Sequence, residues 1–205
     1  MNYAVAIDTL KQADPILAEL IEQVGECRLN QVQQTGDLLS SLCRSIIYQQ
    51  LSGKAATAIH QRFLQLYTVL TPSDILNTSD DVLREVGISR PKISYLKDLA
   101  QRFDKLPTID DLLLMDDENI IKILTEVKGI GRWTVQMLLM FRLHRWDVLP
   151  VDDLGIRNAI HRLYSLPELP NKPTVEQLGE NWKPYRTIAC WYLWSSLSIT
   201  KSEKA

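Results

Sequence analysis

Residues 124–160 read LTEVKGIGRWTVQMLLMFRLHRWDVLPVDDLGIRNAI, and this stretch decides the fold. Its first part, Val127-Lys128-Gly129-Ile130-Gly131-Arg132-Trp133-Thr134, sets two glycines between apolar segments. Ile120, Ile121, Ile123, Leu124 and Val127 precede the glycines at helical spacing, and Val135, Leu138, Leu139 and Arg142 follow them at the same period. The pattern predicts helix, short hairpin, helix. Gly129 and Gly131 supply the positive φ or the close approach that so short a hairpin needs. A helix that starts at such a turn points backbone N–H groups outward and can hold a phosphate with little formal charge. The plain alternative is a turn between two core helices.

The second part is Pro150-Val151-Asp152-Asp153-Leu154-Gly155-Ile156-Arg157. One aspartate suffices to cap the helix it opens. A second carboxylate beside it is not needed for capping, and two close carboxylates repel. The pair is therefore a candidate for chemistry as well as for structure.

Working outward, Asp14-Pro15 predicts a cap and a helix to about Val24, closed by Gly25. Asp37 can cap the next helix, whose Leu38, Leu42 and Ile46 repeat with helical period. That helix breaks at Tyr48-Gln49-Gln50-Leu51-Ser52-Gly53-Lys54. Thr71-Pro72 and Ser79-Asp80 start short helices, and Gly87-Ile88-Ser89-Arg90-Pro91-Lys92 leads into a longer one in which Arg90 and Lys92 are two candidate phosphate contacts. Pro167, Pro170 and Pro173 form a connector before a last helix that begins near Pro184 and carries Trp191 and Trp194. No period-two strand pattern stands out, so the expected class is all-α, with about ten helices.

With 45% hydrophobic residues the chain can build an ordinary globular core, and no apolar run reaches membrane-span length. Cys27, Cys43 and Cys190 are too scattered for a zinc site, a disulfide framework or an iron–sulfur cluster. A reducing compartment fits, cytoplasmic in a bacterium or nuclear in a eukaryote. The formal charge of −2 excludes a nucleic-acid protein that relies on a field of lysines. It allows one that makes few, local contacts through backbone amides, with a shallow salt dependence.

The motifs resemble the helix-hairpin-helix DNA glycosylase superfamily, most closely its alkylated-purine branch, which is similar to 3-methyladenine DNA glycosylase II. Gly129, Gly131, Trp133, Thr134, Asp152, Asp153 and Arg157 carry the resemblance. Lys128 departs from it, standing where proline is usual and adding a cation near the expected phosphate. Further similar segments are Ile46-Ile47-Tyr48-Gln49-Gln50-Leu51-Ser52-Gly53-Lys54, the Gly87–Lys92 loop, and Trp182-Lys183-Pro184-Tyr185-Arg186. Together they span residues 36–197.

The resemblance implies two lobes about a central DNA-binding cleft. Residues 1–35 and 100–205 would form a discontinuous lobe holding the hairpin and the catalytic aspartate, and 36–99 a helical lobe with a minor-groove loop. In that loop Gln50 or Leu51 would plug the gap left by a flipped base, and Gln49 would face the opposite strand. Ser52, Lys54, Lys128, Gly129, Gly131 and Thr134 complete the implied DNA contacts. Asp153 is the implied catalytic carboxylate, with Asp152 second, as a capping or water-orienting group. Trp133 and Trp194 would stack on a cationic base, each contact worth about 0.5–2 kcal/mol. Met137 and Leu154 line the implied base pocket where some relatives carry tyrosine. Lyase-type relatives carry lysine where Trp133 stands, so a monofunctional glycosylase is expected. A lyase-type glycosylase for oxidised bases and a non-catalytic DNA-binding module are the alternatives. The expected partner is double-stranded DNA with alkylated bases, met by a monomer without a membrane. No cofactor is expected beyond a monovalent cation held by hairpin carbonyls, as in the family.

Overall fold

The computed structural model describes residues 2–32, 36–51 and 53–202. Among the described residues there are thirteen α-helices and no strand. The expected all-α class holds, with more helices than the expected ten.

The packing divides the chain into Met1–Gln33 with Leu139–Ala205, and Gln34–Leu138. The first unit contains α1 (Tyr3–Ala13), α2 (Pro15–Val24), α11 (Leu154–Leu163), α12 (Lys172–Glu180) and α13 (Arg186–Ser202). Asp14 caps α2 as its sequence predicts, its Oδ1 accepting the N–H groups of Ile16 and Leu17 at 3.1 Å. Its Oδ2 accepts the indole N–H of Trp182 at 2.8 Å and the hydroxyl of Tyr164. Burial, and then the Asp14 carboxylate, push the Tyr164 hydroxyl well above the ordinary phenol range. The hydroxyl of Tyr192 donates to the Gly25 carbonyl at 3.0 Å. The fully buried Trp182 and Tyr192 thus tie the start of the chain to its end. Arg186 forks onto Asp147, with Nε to Oδ1 at 2.6 Å and Nη2 to Oδ2 at 2.9 Å, which anchors the approach to α11 against the start of α13.

The second unit contains α3 (Leu38–Tyr48), α4 (Gly53–Leu64), α5 (Pro72–Asn77), α6 (Asp80–Glu85), α7 (Arg90–Arg102), α8 (Ile109–Leu114) and α9 (Asp117–Leu124). The first residues of α10 (Arg132–Phe141) also belong to it. Thr71, Ser79, Thr108 and Asp116 cap α5, α6, α8 and α9 through their side chains. Helix α7 packs on α3, α5 and α6, burying Ile93, Leu96 and Leu99.

The second boundary falls at 138/139 rather than near residue 100. The reason is local. The Lys128 N–H donates to Asp98 of α7 at 2.8 Å, and Gln49 beyond α3 donates to the Gly129 carbonyl at 2.8 Å. These contacts bind the hairpin to the helices of 36–99.

Candidate active site

The hairpin lies wholly in the second unit. Helix α9 ends at Leu124, Gly129 has φ +82°, and α10 begins at Arg132. A Cβ on Gly129 would sit 2.2 Å from the Tyr95 ring, so this position needs glycine for its dihedral and for its packing. Gly131 is the opposite case: a Cβ there meets nothing within 4 Å. The open side of the hairpin is therefore at Gly131, beside the positive end of α10. Burial opposes the charge of Asp98, yet the Lys128 N–H and Arg102 at 3.0 Å hold its carboxyl below the usual range. The Lys128 ammonium donates to Ser94 Oγ at 3.1 Å on an exposed face.

Gln49, expected to face a DNA strand, is spent on the hairpin: Nε2 donates to the Gly129 carbonyl at 2.8 Å and reaches Thr134 Oγ1 at 3.5 Å. Thr134 is buried, so its side chain faces the hairpin, and a DNA contact there falls to its backbone. Both side chains hold the hairpin from behind. Lys92 is corrected in the same way, because its ammonium donates to the carbonyls of Ile47 and Gln49 rather than standing ready for phosphate. Arg90, Gln50, Leu51 and Lys54 are exposed, and Ser52 lies outside the described residues. Gln50 has φ +56°, a left-handed conformation that disfavours any residue but glycine.

The aspartates lie in the first unit. Asp153 is buried at the N-cap of α11, and its Oδ1 accepts the Ile156 N–H at 2.8 Å. The same oxygen accepts the indole N–H of Trp194 at 2.9 Å. Asp152 is half exposed and pairs with Lys172 at 2.8 Å. Of the two roles expected of Asp152, capping or water orientation, the first is corrected, since capping and the indole contact both fall to Asp153. Gly155 makes this possible: a Cβ there would lie 3.0 Å from Asp153 Oδ1 and 3.1 Å from the Trp194 ring. Phe141 lies against Trp194, with ring centroids 6.0 Å apart and planes tilted by 31°. Leu154 is exposed at the start of α11, and Trp133 at the start of α10, while Met137 is half-buried one turn further along. Trp133, Met137 and Phe141 follow one another at i, i+4 and i+8, a stripe of α10 that helical spacing alone would have extended to Phe141. Arg157 donates to the Pro170 carbonyl at 2.8 Å, steadying the proline connector.

No three metal-ligating side chains come together among the described residues. A cation would have to use backbone carbonyls of the hairpin, two of which, Val127 and Gly129, already accept a hydrogen bond each. Each carbonyl keeps a second lone pair for such an ion.

A family model described as HhH-GPD superfamily base excision DNA repair protein matches residues 43–184. The chain belongs to the HhH-GPD superfamily. It is 38% identical to DNA-3-methyladenine glycosylase 1 of Schizosaccharomyces pombe over 190 residues, covering 90% of this chain and 83% of that one. The fold is similar to the S. pombe 3-methyladenine DNA glycosylase in complex with abasic DNA, with a TM-score of 0.87 over 94% of this chain and 96% of that one at 38% identity. It is also similar to a DNA-3-methyladenine glycosidase from Bacillus halodurans, with a TM-score of 0.83 at 35% identity over 97% and 91% of the two chains. As an HhH-GPD protein this chain carries its hairpin and its aspartates inside the family match, whereas Trp194 lies beyond residue 184.

Proposed function

We infer that this protein is a monofunctional DNA-3-methyladenine glycosylase of base excision repair. It removes alkylated, cationic purines such as 3-methyladenine and 7-methylguanine from duplex DNA. The observation that carries the reading is Asp153, a buried carboxylate fixed by the Ile156 N–H and the Trp194 indole. The names of the similar proteins support the same substrate class.

A base inside a duplex is out of reach of an enzyme, so the nucleotide must be rotated out. A purine methylated at N3 or N7 is positively charged and already a good leaving group, so it needs little acid catalysis. What remains is positive charge growing on the sugar as the bond to the base breaks. A fixed anion meets that demand without reorganising at the moment of reaction. Asp153 is that anion in our reading, and the Trp194 face offers the stacking surface for the base. Phe141 and Leu154 belong to the same unit and extend the apolar surface. The Gly131 side of the hairpin takes a phosphate, and Gln50 and Leu51 enter the minor groove. Trp133 stands where a lyase would need an amine. The protein acts as a monomer, in the compartment that holds the genome.

The test is base release from methylated duplex, with the products resolved and borohydride added in parallel. Free 3-methyladenine or 7-methylguanine without a trapped protein–DNA adduct is the expected result. A borohydride-trapped adduct would mark a lyase, and binding without release would mark a DNA-binding module.

A further inference from the structure

Helix α3 ends at Tyr48 in a loop that its own backbone holds poorly. The Gln49 N–H to Ile46 and Leu51 N–H to Tyr48 bonds are both 3.4 Å, at the long limit of a hydrogen bond. The next residue, Gln50, has φ +56° with no glycine to relieve it. Leu51 is 40% exposed. Such a loop keeps its shape only through ties to the structure around it.

Two side chains supply them. One is the Gln49 amide on the hairpin carbonyl. The other is Lys92, from the first turn of α7, whose ammonium donates to the carbonyls of Ile47 and Gln49 at 2.8 and 2.6 Å. Those are the carbonyls on either side of the helix end, where a cation also meets the negative pole of α3. Burial lowers the pKa of this ammonium, so the chain accepts a desolvation cost to keep a lysine here. The loop borders an open pocket of about 180 Å³, lined by Leu51, Ile59 and Ile88 and also by Gln50, Ser89 and Lys92. The loop thus borders open space rather than packed side chains, and among the described residues nothing there fixes Leu51 in place of the tie.

We propose that Lys92 is a positioning residue: it holds Gln50 and Leu51 projecting before DNA arrives, so that the wedge is formed in the free protein. This rests on the reading of residues 49–51 as the minor-groove wedge. A wedge matters only where a base is drawn from a stack and the gap behind it must be filled. Its loss therefore slows excision from duplex and spares excision from a single strand.

The experiment compares single-turnover release of 7-methylguanine from a duplex and from the same strand alone, below the melting temperature of each variant. Lys92→Met should lose about tenfold on duplex and stay within about twofold on single strand. Lys92→Gln, which keeps an amide donor, should fall between and serves if Lys92→Met does not fold. Equal slowing on both substrates, or no slowing on duplex, would overturn the inference and leave Lys92 a plain helix cap. The double variant Gln50→Ala/Leu51→Ala separates the two claims. If it too loses rate on duplex only, the wedge reading stands and Lys92 is judged on its own variants. If it keeps full duplex rate, the wedge reading fails and the inference falls with it.

Discussion

Gly129 and Gly131 look equivalent in the sequence and differ in the structure. Gly129 is closed by the Tyr95 ring and has a positive φ; Gly131 faces open space. Gly129→Ala should therefore cost about 2–4 kcal/mol of stability, from strain and a clash with an aromatic ring. Gly131→Val should change stability by less than about 1 kcal/mol. It should nevertheless weaken binding to an abasic-site duplex at least about tenfold, roughly 1.4 kcal/mol, because bulk blocks the phosphate. Thermal melts and a binding titration on both variants check the pair; unchanged affinity in a stable Gly131→Val would remove the hairpin as anchor. The two glycines were legible as a hairpin, but which one is closed was not, because the answer lies in Tyr95 on another helix. Asp153 was legible as a cap by residue type, and its choice over Asp152 came from the motif match. Its indole partner lies 41 residues away, and nothing in the spacing announces that contact.

Helix α7 shows what periodicity leaves out. Ile93, Leu96 and Leu99 mark its buried face plainly. Lys92, Tyr95 and Asp98 lie three apart on another face; Lys92 reads as a candidate phosphate contact and the other two as ordinary solvated side chains. In the structure Lys92 donates to the Gln49 carbonyl, the Tyr95 ring backs Gly129 and Asp98 accepts the Lys128 N–H. Polar residues on a helix can be solvated or committed, and only their partners decide. Asp98 gives a test by pH. Its folded-state pKa is lowered from 3.8, so its contribution to stability is present above the unfolded value and is lost as pH falls through the folded one. Chemical denaturation of the unchanged protein and of Asp98→Asn should show a gap that is constant above about pH 5 and narrows below about pH 4. A gap that widens in acid would contradict this. Helix α1 went unread for a related reason: it buries only Ala6 and Leu10, too sparse an apolar stripe to declare itself.

At the scale of the molecule, the all-α class and most helix starts could be read because caps and prolines are local signals. The unit boundary could not, because it depends on Asp98 accepting the Lys128 N–H and Gln49 donating to the Gly129 carbonyl, both in a hairpin far along the chain. The stitching of the two chain ends through Asp14 was equally hidden, although its capping role was not. Asp14→Ala should remove a cap and leave the Trp182 and Tyr164 donors without their acceptor, costing about 3 kcal/mol. The melting temperature should fall by roughly 5–10 °C with excision at low temperature preserved; an unchanged melt would show that the network contributes nothing. The claim on which the rest depends is that Asp153 stabilises charge as an alkylated purine leaves. Asparagine caps helices well, and its Oδ1 can still accept from Ile156 and Trp194, so Asp153→Asn deletes the charge and little else. The decisive measurement is single-turnover release of 3-methyladenine from duplex by Asp153→Asn beside Asp152→Asn. The account predicts a loss on the order of 10²–10³ in rate for Asp153→Asn, with fold and DNA affinity kept, and a much smaller loss for Asp152→Asn. Near-full excision by Asp153→Asn would contradict it.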